Sequence, residues 1–440
     1  MNREQAQRRW QHEALAYAER INAYVAKGQA EGWDNAGEAP SNGDFEGLLP
    51  HLREALREAN AQRPRQDIKA DWPPSHIGLG ELPQEQGQAI PTVCWLPDGS
   101  LLARIGAPYL PGKVVRIHGD EVSEVDGVEH FGRCPQRRYF AKATAEGVRV
   151  HDGWDGPQTA FCPWPKGTEG IPEGFTVAPL EHPPTPTRLI PFPDGRRVLL
   201  ASSDGIFVLG ESAAQRLLPD PQALRDEFGY ARADQPDEEQ AVGISMEHVA
   251  LSADGRLIAA GHQCSQHAVF DEHLQAIADI GPHGEYPHFA LFSADGRTLA
   301  LNACHFYNGA TLAVQVDRIP GLRSEFYQED VDGQQVVEEG ARVYAGIGVA
   351  DTFILGDAYG YLRTVGLDGD LRWQHYIGST LCDMDLSDDG RTLAVSTFAG
   401  YISLIELDAG RRQPYQIGTG EHFETRRWLF WKDEAQALAW

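Results

Sequence analysis

The chain has 440 residues, rich in Gly (46) and Pro (28), with 64 acidic against 38 basic side chains and a net charge of −26. That balance argues against wrapping nucleic acid or lying on an anionic membrane, because phosphate binding needs a basic footprint; it suits solubility and would attract a basic protein partner. No run approaches the ~18 consecutive apolar residues of a membrane span.

The start, MNREQAQRRWQHE, lacks the apolar stretch of a secretory signal, and six scattered cysteines form no Cys-x-x-Cys pair. Reduced thiols in a cytoplasmic protein are therefore expected. Residues 2–27 read as a helix, since Trp10, Ala14, Tyr17, Ala18, Ile21 and Tyr24 recur at spacings of three and four. A second helix is expected over 50–60 (PHLREALREAN), with Pro50 in its first turn and Leu52 and Leu56 on one face. The stretch 61–75 (AQRPRQDIKADWPPS) is a Pro-containing connector. The chain thus divides into a helical segment (1–62), a linker (63–89) and a strand-rich body (90–440). The helices are expected to pack on that body; the alternative is that residues 1–27 pair two copies into a dimer.

From residue 90 one phrase recurs: WLPDGSLLAR at 95–104, PFPDGRRVLLAS at 191–202, LSADGRLIAAG at 251–261, FSADGRTLALN at 292–302 and DLSDDGRTLAVS at 385–396. Each copy is an apolar run, an Asp-Gly turn and a second apolar run, which is a hairpin. Seven four-strand units follow, over 91–127, 128–164, 187–218, 247–280, 287–317, 342–377 and 381–416. An eighth hairpin, RRWLFWKDEAQALAW (426–440), ends the chain.

One such sheet has two apolar faces and cannot bury both; radial stacking into a ring covers them. The expected fold is all-β: a β-propeller of seven or eight four-stranded blades behind a short α-helical N-terminal segment. Eight is favoured, with the last hairpin joining strands near 76–90. The [SP]-x-D-G-R-x-L-A series resembles the WD-repeat and related β-propeller superfamily over 90–440, and GDAYGYLRTVGLDGDLRW (356–373) resembles a quinoprotein-type blade. Most units lack the terminal Trp-Asp, so the resemblance implies the fold and no family-specific function.

In such a ring the Asp-Gly turns share one face, the bottom, and the second-to-third and fourth-to-first connections share the top. The long insertions 165–186, 219–246 and 318–341 read as blade-to-blade connections crowding the top, the mark of a binding surface. The second holds PDPQALRDEFGY, a short helix capped by Asp220, and the acidic ADQPDEEQ. The third, FYQEDVDGQQVVEEG, sets Gln328, Asp330, Asp332, Gly333 and Glu339 at calcium-loop positions; without a leading Asp or flanking helices it reads as a solvated acidic loop.

Counting back from the turn glycines puts Thr92, Arg188, His248, Phe289 and Asp383 at the mouth of the central channel. The candidates for ligand or partner binding are Arg188, His248, His262, His283, His288 and Asp383. Cys264, Cys304 and His305 are of types that hold zinc or copper, yet no tetrahedral spacing supports this; no cofactor is expected, with a divalent metal as the minor alternative. The expected function is a non-catalytic protein–protein interaction module, a bacterial scaffold, adaptor or toxin-neutralising protein, using the top loops. The competing expectation is a hydrolase or oxidoreductase in the central funnel, with His248, His288 and Asp383 in acid–base roles and perhaps a metal's help.

Overall fold

In a computed structural model of the chain, which describes residues 1–62, 64–75, 87–234, 240–328 and 330–440, the repeated phrase closes its turn with its own side chains. Ser252 Oγ donates to Asp254 Oδ1 (2.7 Å), the Arg256 N–H to the same oxygen (3.1 Å) and the Leu257 N–H to Ser252 Oγ (2.9 Å). Ser293 with Asp295 and Ser387 with Asp389 repeat the first bond at 2.7 and 2.6 Å. Gly255, Gly296 and Gly390 follow at φ 74°, 70° and 72°, where a side chain would be strained. In blades 4, 5 and 7, local chemistry therefore fixes the link between the two innermost strands.

Seven antiparallel sheets follow in chain order over 92–125, 130–163, 188–218, 248–280, 286–339, 343–376 and 381–429, each with its four strands in sequence order. Neighbouring sheets share buried apolar clusters all the way round. Leu199 and Ile206 of blade 3 meet Val249 and Ile258 of blade 4, and Val93 and Leu101 of blade 1 meet Ala394 and Ile402 of blade 7. The chain is a β-propeller of seven blades, closed on itself.

Among the described residues no eighth blade forms. Phe423–Leu429 is the fourth strand of blade 7 and Leu438–Ala439 a fifth, so residues 426–440 extend an existing sheet. The unit expected over 381–416 had left out that fourth strand, because residues 407–422 intervene after the third. Blade 5 departs the same way: its fourth strand is Gln334–Glu339, beyond the expected limit at 317. Of the expected closing strands near 76–90, residues 76–86 lie outside the described residues, and Gly87 makes one antiparallel bridge to Trp431.

The N-terminal helices α1 (Arg3–Glu31), α2 (Trp33–Ala36) and α3 (Leu49–Ala61) precede the ring. Asn2 caps α1 through a reciprocal capping box with Gln5. Trp10 of α1 and Leu52 and Leu56 of α3 share a core with Trp72, Leu438 and Trp440, continuous with Ile354 and Leu393 of blades 6 and 7. Trp10 Nε1 donates to the Pro73 carbonyl (2.8 Å) and Trp440 Nε1 to that of Trp72 (2.7 Å), so the two ends of the chain meet beside blade 7. Helix α4 (Pro221–Asp234) lies between blades 3 and 4. No helix among the described residues is long and apolar enough to cross a membrane.

Candidate functional site

The central channel divides into an upper chamber of about 430 Å³ and a lower one of about 500 Å³. Thr92, Arg188, Val249 and Phe289 line both, so four of the first strands pinch the channel at one level. Arg188 Nη1 reaches across this level to Asp383 Oδ1 (3.1 Å), whose Oδ2 accepts the Val93 N–H (3.0 Å). Burial raises the Asp383 carboxyl and the Arg188 guanidinium opposes the rise. Arg188 and Asp383 thus form a plug between blades 3 and 7.

The two histidines expected in acid–base roles line the upper chamber and are held by other partners. His248 Nδ1 faces the Met246 carbonyl (3.2 Å), which only accepts, so that nitrogen carries the proton and Nε2 accepts from His267 Nδ1 (3.2 Å). Burial keeps both rings neutral, pushing His248 down to about 4 and His267 well below its usual value. His288 Nδ1 donates to the Val343 carbonyl (2.6 Å), and its Nε2 accepts from Arg342 Nε (3.2 Å) and Nη2 (3.0 Å). Burial first, then the Arg342 charge, push His288 down to about 3. No hydrogen bond joins His248, His288 and Asp383 to one another.

Three bulges, unmarked in the sequence, shape the upper chamber. In the first strands of blades 5, 6 and 7 the pairing register skips one residue, leaving His288, Tyr344 and Cys382 as the extra residue of each. All three line the chamber, together with Tyr109, Glu247, Arg342 and Phe398. The His288 and Tyr344 rings lie 4.6 Å apart edge to face, and the Arg342 guanidinium lies 4.9 Å over Tyr344.

Around the rim stands an arc of exposed apolar side chains. Phe306 (74% exposed) and Tyr307 (58%) occupy the second-to-third turn of blade 5, Tyr359 (46%) that of blade 6, Phe398 that of blade 7, and Tyr109 with Leu110 that of blade 1. These blades are neighbours in the closed ring. Tyr307 meets Tyr359, and Tyr344 meets Phe398, at 5.6 Å each. The same turn carries Glu146 in blade 2, Asp204 in blade 3 and Gln263 to Gln266 in blade 4, so the face is apolar on one side and polar on the other. Aromatics in the two-residue turn of blade 5 and the three-residue turns of blades 6 and 7, where Gly, Asn or Asp is usual, are the signal in the sequence.

The insertions 165–186 and 219–246 do join consecutive blades across the top. The third does not. It separates the third and fourth strands of blade 5, so it leaves from the bottom face. The chain then climbs along the outer strand of blade 4, with a parallel bridge between Asp279 and Arg323, until the Tyr327 N–H reaches the Pro282 carbonyl (3.1 Å). There the Tyr327 ring stands 5.5 Å from His283. His262 lies apart, buried in an outer groove of about 860 Å³ between α4 and blade 4, where its Nδ1 accepts the Cys264 N–H (3.3 Å). In the acidic stretch ADQPDEEQ, residues 235–239 lie outside the described residues.

No group of three or more His, Cys, Asp or Glu side chains placed to hold a metal occurs among the described residues. Cys264 is exposed and Cys304 buried, His305 pairs with Glu285 (2.6 Å) and Asp332 with Arg318 (3.2 Å).

No family model matches the sequence, and no curated protein does. Among solved structures the chain is similar to the β-propeller domain of Cps50 (Swd1) from Myceliophteria thermophila, at 13% identity, covering 70% of this chain and 92% of that chain with a TM-score of 0.45. It is also similar to the computationally designed Ika8 protein, at 16% identity, covering 73% and 97% with a TM-score of 0.41.

Proposed function

We propose that this chain is a protein-binding module, a scaffold or adaptor, whose partner docks on the aromatic arc of the top face. The arc carries the reading: Phe306, Tyr307, Tyr359, Phe398, Tyr109 and Leu110 stand exposed on four neighbouring blades. Turn residues on a soluble surface gain nothing from large rings left in water, whereas aromatic anchors dominate protein interfaces. A rigid ring holds them in place before binding, which lowers the ordering cost of association. The net charge of −26 favours a basic partner and speeds encounter at low salt. The six free cysteines suit a reducing compartment such as the cytoplasm.

The test is copurification from the native cell followed by mass spectrometry, with a variant carrying Phe306→Ser, Tyr307→Ser and Tyr359→Ser. A partner captured by the wild type and lost by the triple variant, at unchanged thermal midpoint, supports the reading. Retention by the variant, or no partner under gentle conditions, overturns it.

A further inference from the structure

Three guanidiniums reach the upper chamber, and among the described residues one of them meets a carboxylate. Arg188 is paired with Asp383. Arg104 is buried and directs its donors to the carbonyls of Glu129 (3.2 Å), Gly106 (2.9 Å), Ala107 (3.2 Å) and Leu110 (2.6 Å). Arg342 is held by neutral acceptors, His288 Nε2 on one edge and the Phe306 carbonyl on Nη1 (3.2 Å). Those bonds leave an N–H on each terminal nitrogen of Arg342 without a partner among the described residues.

The negative charge of the chamber is elsewhere. Glu247, 8% exposed, lines the chamber, accepts the Thr187 hydroxyl on Oε1 (2.8 Å) and has its other oxygen buried. Burial raises its carboxyl, which favours the protonated form. His130, His248 and His288 are neutral, with the Arg104 and Arg342 charges helping to push down His130 and His288. The charge left open to the chamber is that of Arg342.

We propose that the upper chamber binds a small organic acid, its carboxylate end-on to the Arg342 guanidinium and its apolar body against Tyr109, Phe289, Tyr344 and Phe398. A volume of about 430 Å³ lies within the range of small-molecule sites, and such sites are mostly apolar with a few placed polar groups. The guanidinium fork matches a carboxylate in geometry as well as in charge. It is also fixed in advance. His288 is locked as an acceptor by its bond to Val343, the Tyr344 ring lies beneath the guanidinium, and both residues are placed by bulges in adjacent blades.

The experiment uses the purified full chain and three probes at pH 7: 3-phenylpropionate, its neutral amide and phenethylamine, followed by saturation-transfer NMR and titration. The carboxylate is expected to bind at least tenfold more tightly than the amide, with no binding of the amine. Arg342→Gln should lose that preference, Arg342→Lys should keep part of it, and Arg297→Gln, on an exposed bottom turn, should leave it unchanged. Equal binding of acid and amide, no binding of either, or an undiminished preference in folded Arg342→Gln would each overturn the site. Displacement of a captured partner by 3-phenylpropionate would identify the acid as a group of that partner, and coexistence of the two as a free small molecule. The probes need no partner, so failure of the capture experiment and failure of this one are separate results.

Discussion

The seam between blades 7 and 1 can be opened at a single carboxylate. Asp385, on the first strand of blade 7, accepts the Trp95 N–H of blade 1 on Oδ2 (2.7 Å) and Arg133 Nη2 of blade 2 on Oδ1 (2.7 Å). Arg133 also donates to the Trp95 carbonyl (2.9 Å), so the pair stands in for a neighbouring strand along the free edge of the first blade. The two side chains are 7% and 13% exposed. Asp385→Ala leaves the Trp95 N–H without its acceptor and the Arg133 charge without its counter-ion. Removing one member of a buried pair costs about 3–5 kcal/mol. The orphaned N–H alone would cost about 1–3 kcal/mol, and the two overlap because one side chain serves both. Asp388→Ala is the control: Asp388 is 58% exposed, and its partner Arg137 keeps a second carboxylate in Asp385 (3.4 Å), so the loss should be about 0–1 kcal/mol. Urea unfolding followed by tryptophan fluorescence should show a large drop in midpoint for Asp385→Ala and almost none for Asp388→Ala. Arg133→Met combined with Asp385→Ala should recover part of the loss, since no unpaired charge remains. A loss below about 1 kcal/mol for Asp385→Ala, or no recovery in the double variant, would refute the latch.

Acid should unfold the ring early. Burial holds His130, His288 and His375 at about 3 and His248 at about 4 in the folded chain, below the unfolded value near 6.5. The unfolded chain therefore takes up protons first; stability is complete above pH ~6.5 and falls on the way down to ~3 (~4 for His248), by up to about 1.4 kcal/mol per pH unit per histidine. A midpoint that stays level between pH 6.5 and 4.5 would contradict the neutral assignments. Trp10→Ala should cost about 3–5 kcal/mol, the usual loss for a fully buried Trp, and should expose α1 to limited proteolysis before the blades are cut. Simultaneous cutting of helix and blades would mean that the N-terminal segment does not clasp the ring from outside.

The difference between what could and could not be read in advance follows from the range of each interaction. A Ser-x-Asp-Gly turn is complete within six residues, so Ser252, Asp254 and Gly255 announce a hairpin wherever the fold places it. Blade limits were legible only while four strands followed one another without interruption. At residues 316–333 and 407–422 the chain leaves a blade after its third strand and returns to finish it, and a count based on contiguous units then creates a spurious eighth blade. Strand four of blade 7 is recognised only through its pairing with Tyr401–Glu406, a contact that skips the loop.

The same reasoning explains why the position of Arg188 and Asp383 at the channel is legible in the sequence and that of Arg342 is not. Positions counted from a turn stay in phase only along a regular strand, and the channel plug lies on the turn-proximal side of the bulges. One residue beyond it, the bulges in blades 5, 6 and 7 break the phase and put His288, Tyr344 and Cys382 into the upper chamber. Nothing in residue type marks them, because a bulge is set by how two strands pair. A regularised first strand in blade 6, made by deleting Tyr344, would restore the two-residue period and withdraw the ring that lies beneath Arg342. At this one level three adjacent strands depart from their repeat, and His288, Tyr344 and Cys382 are what they add to the chamber wall.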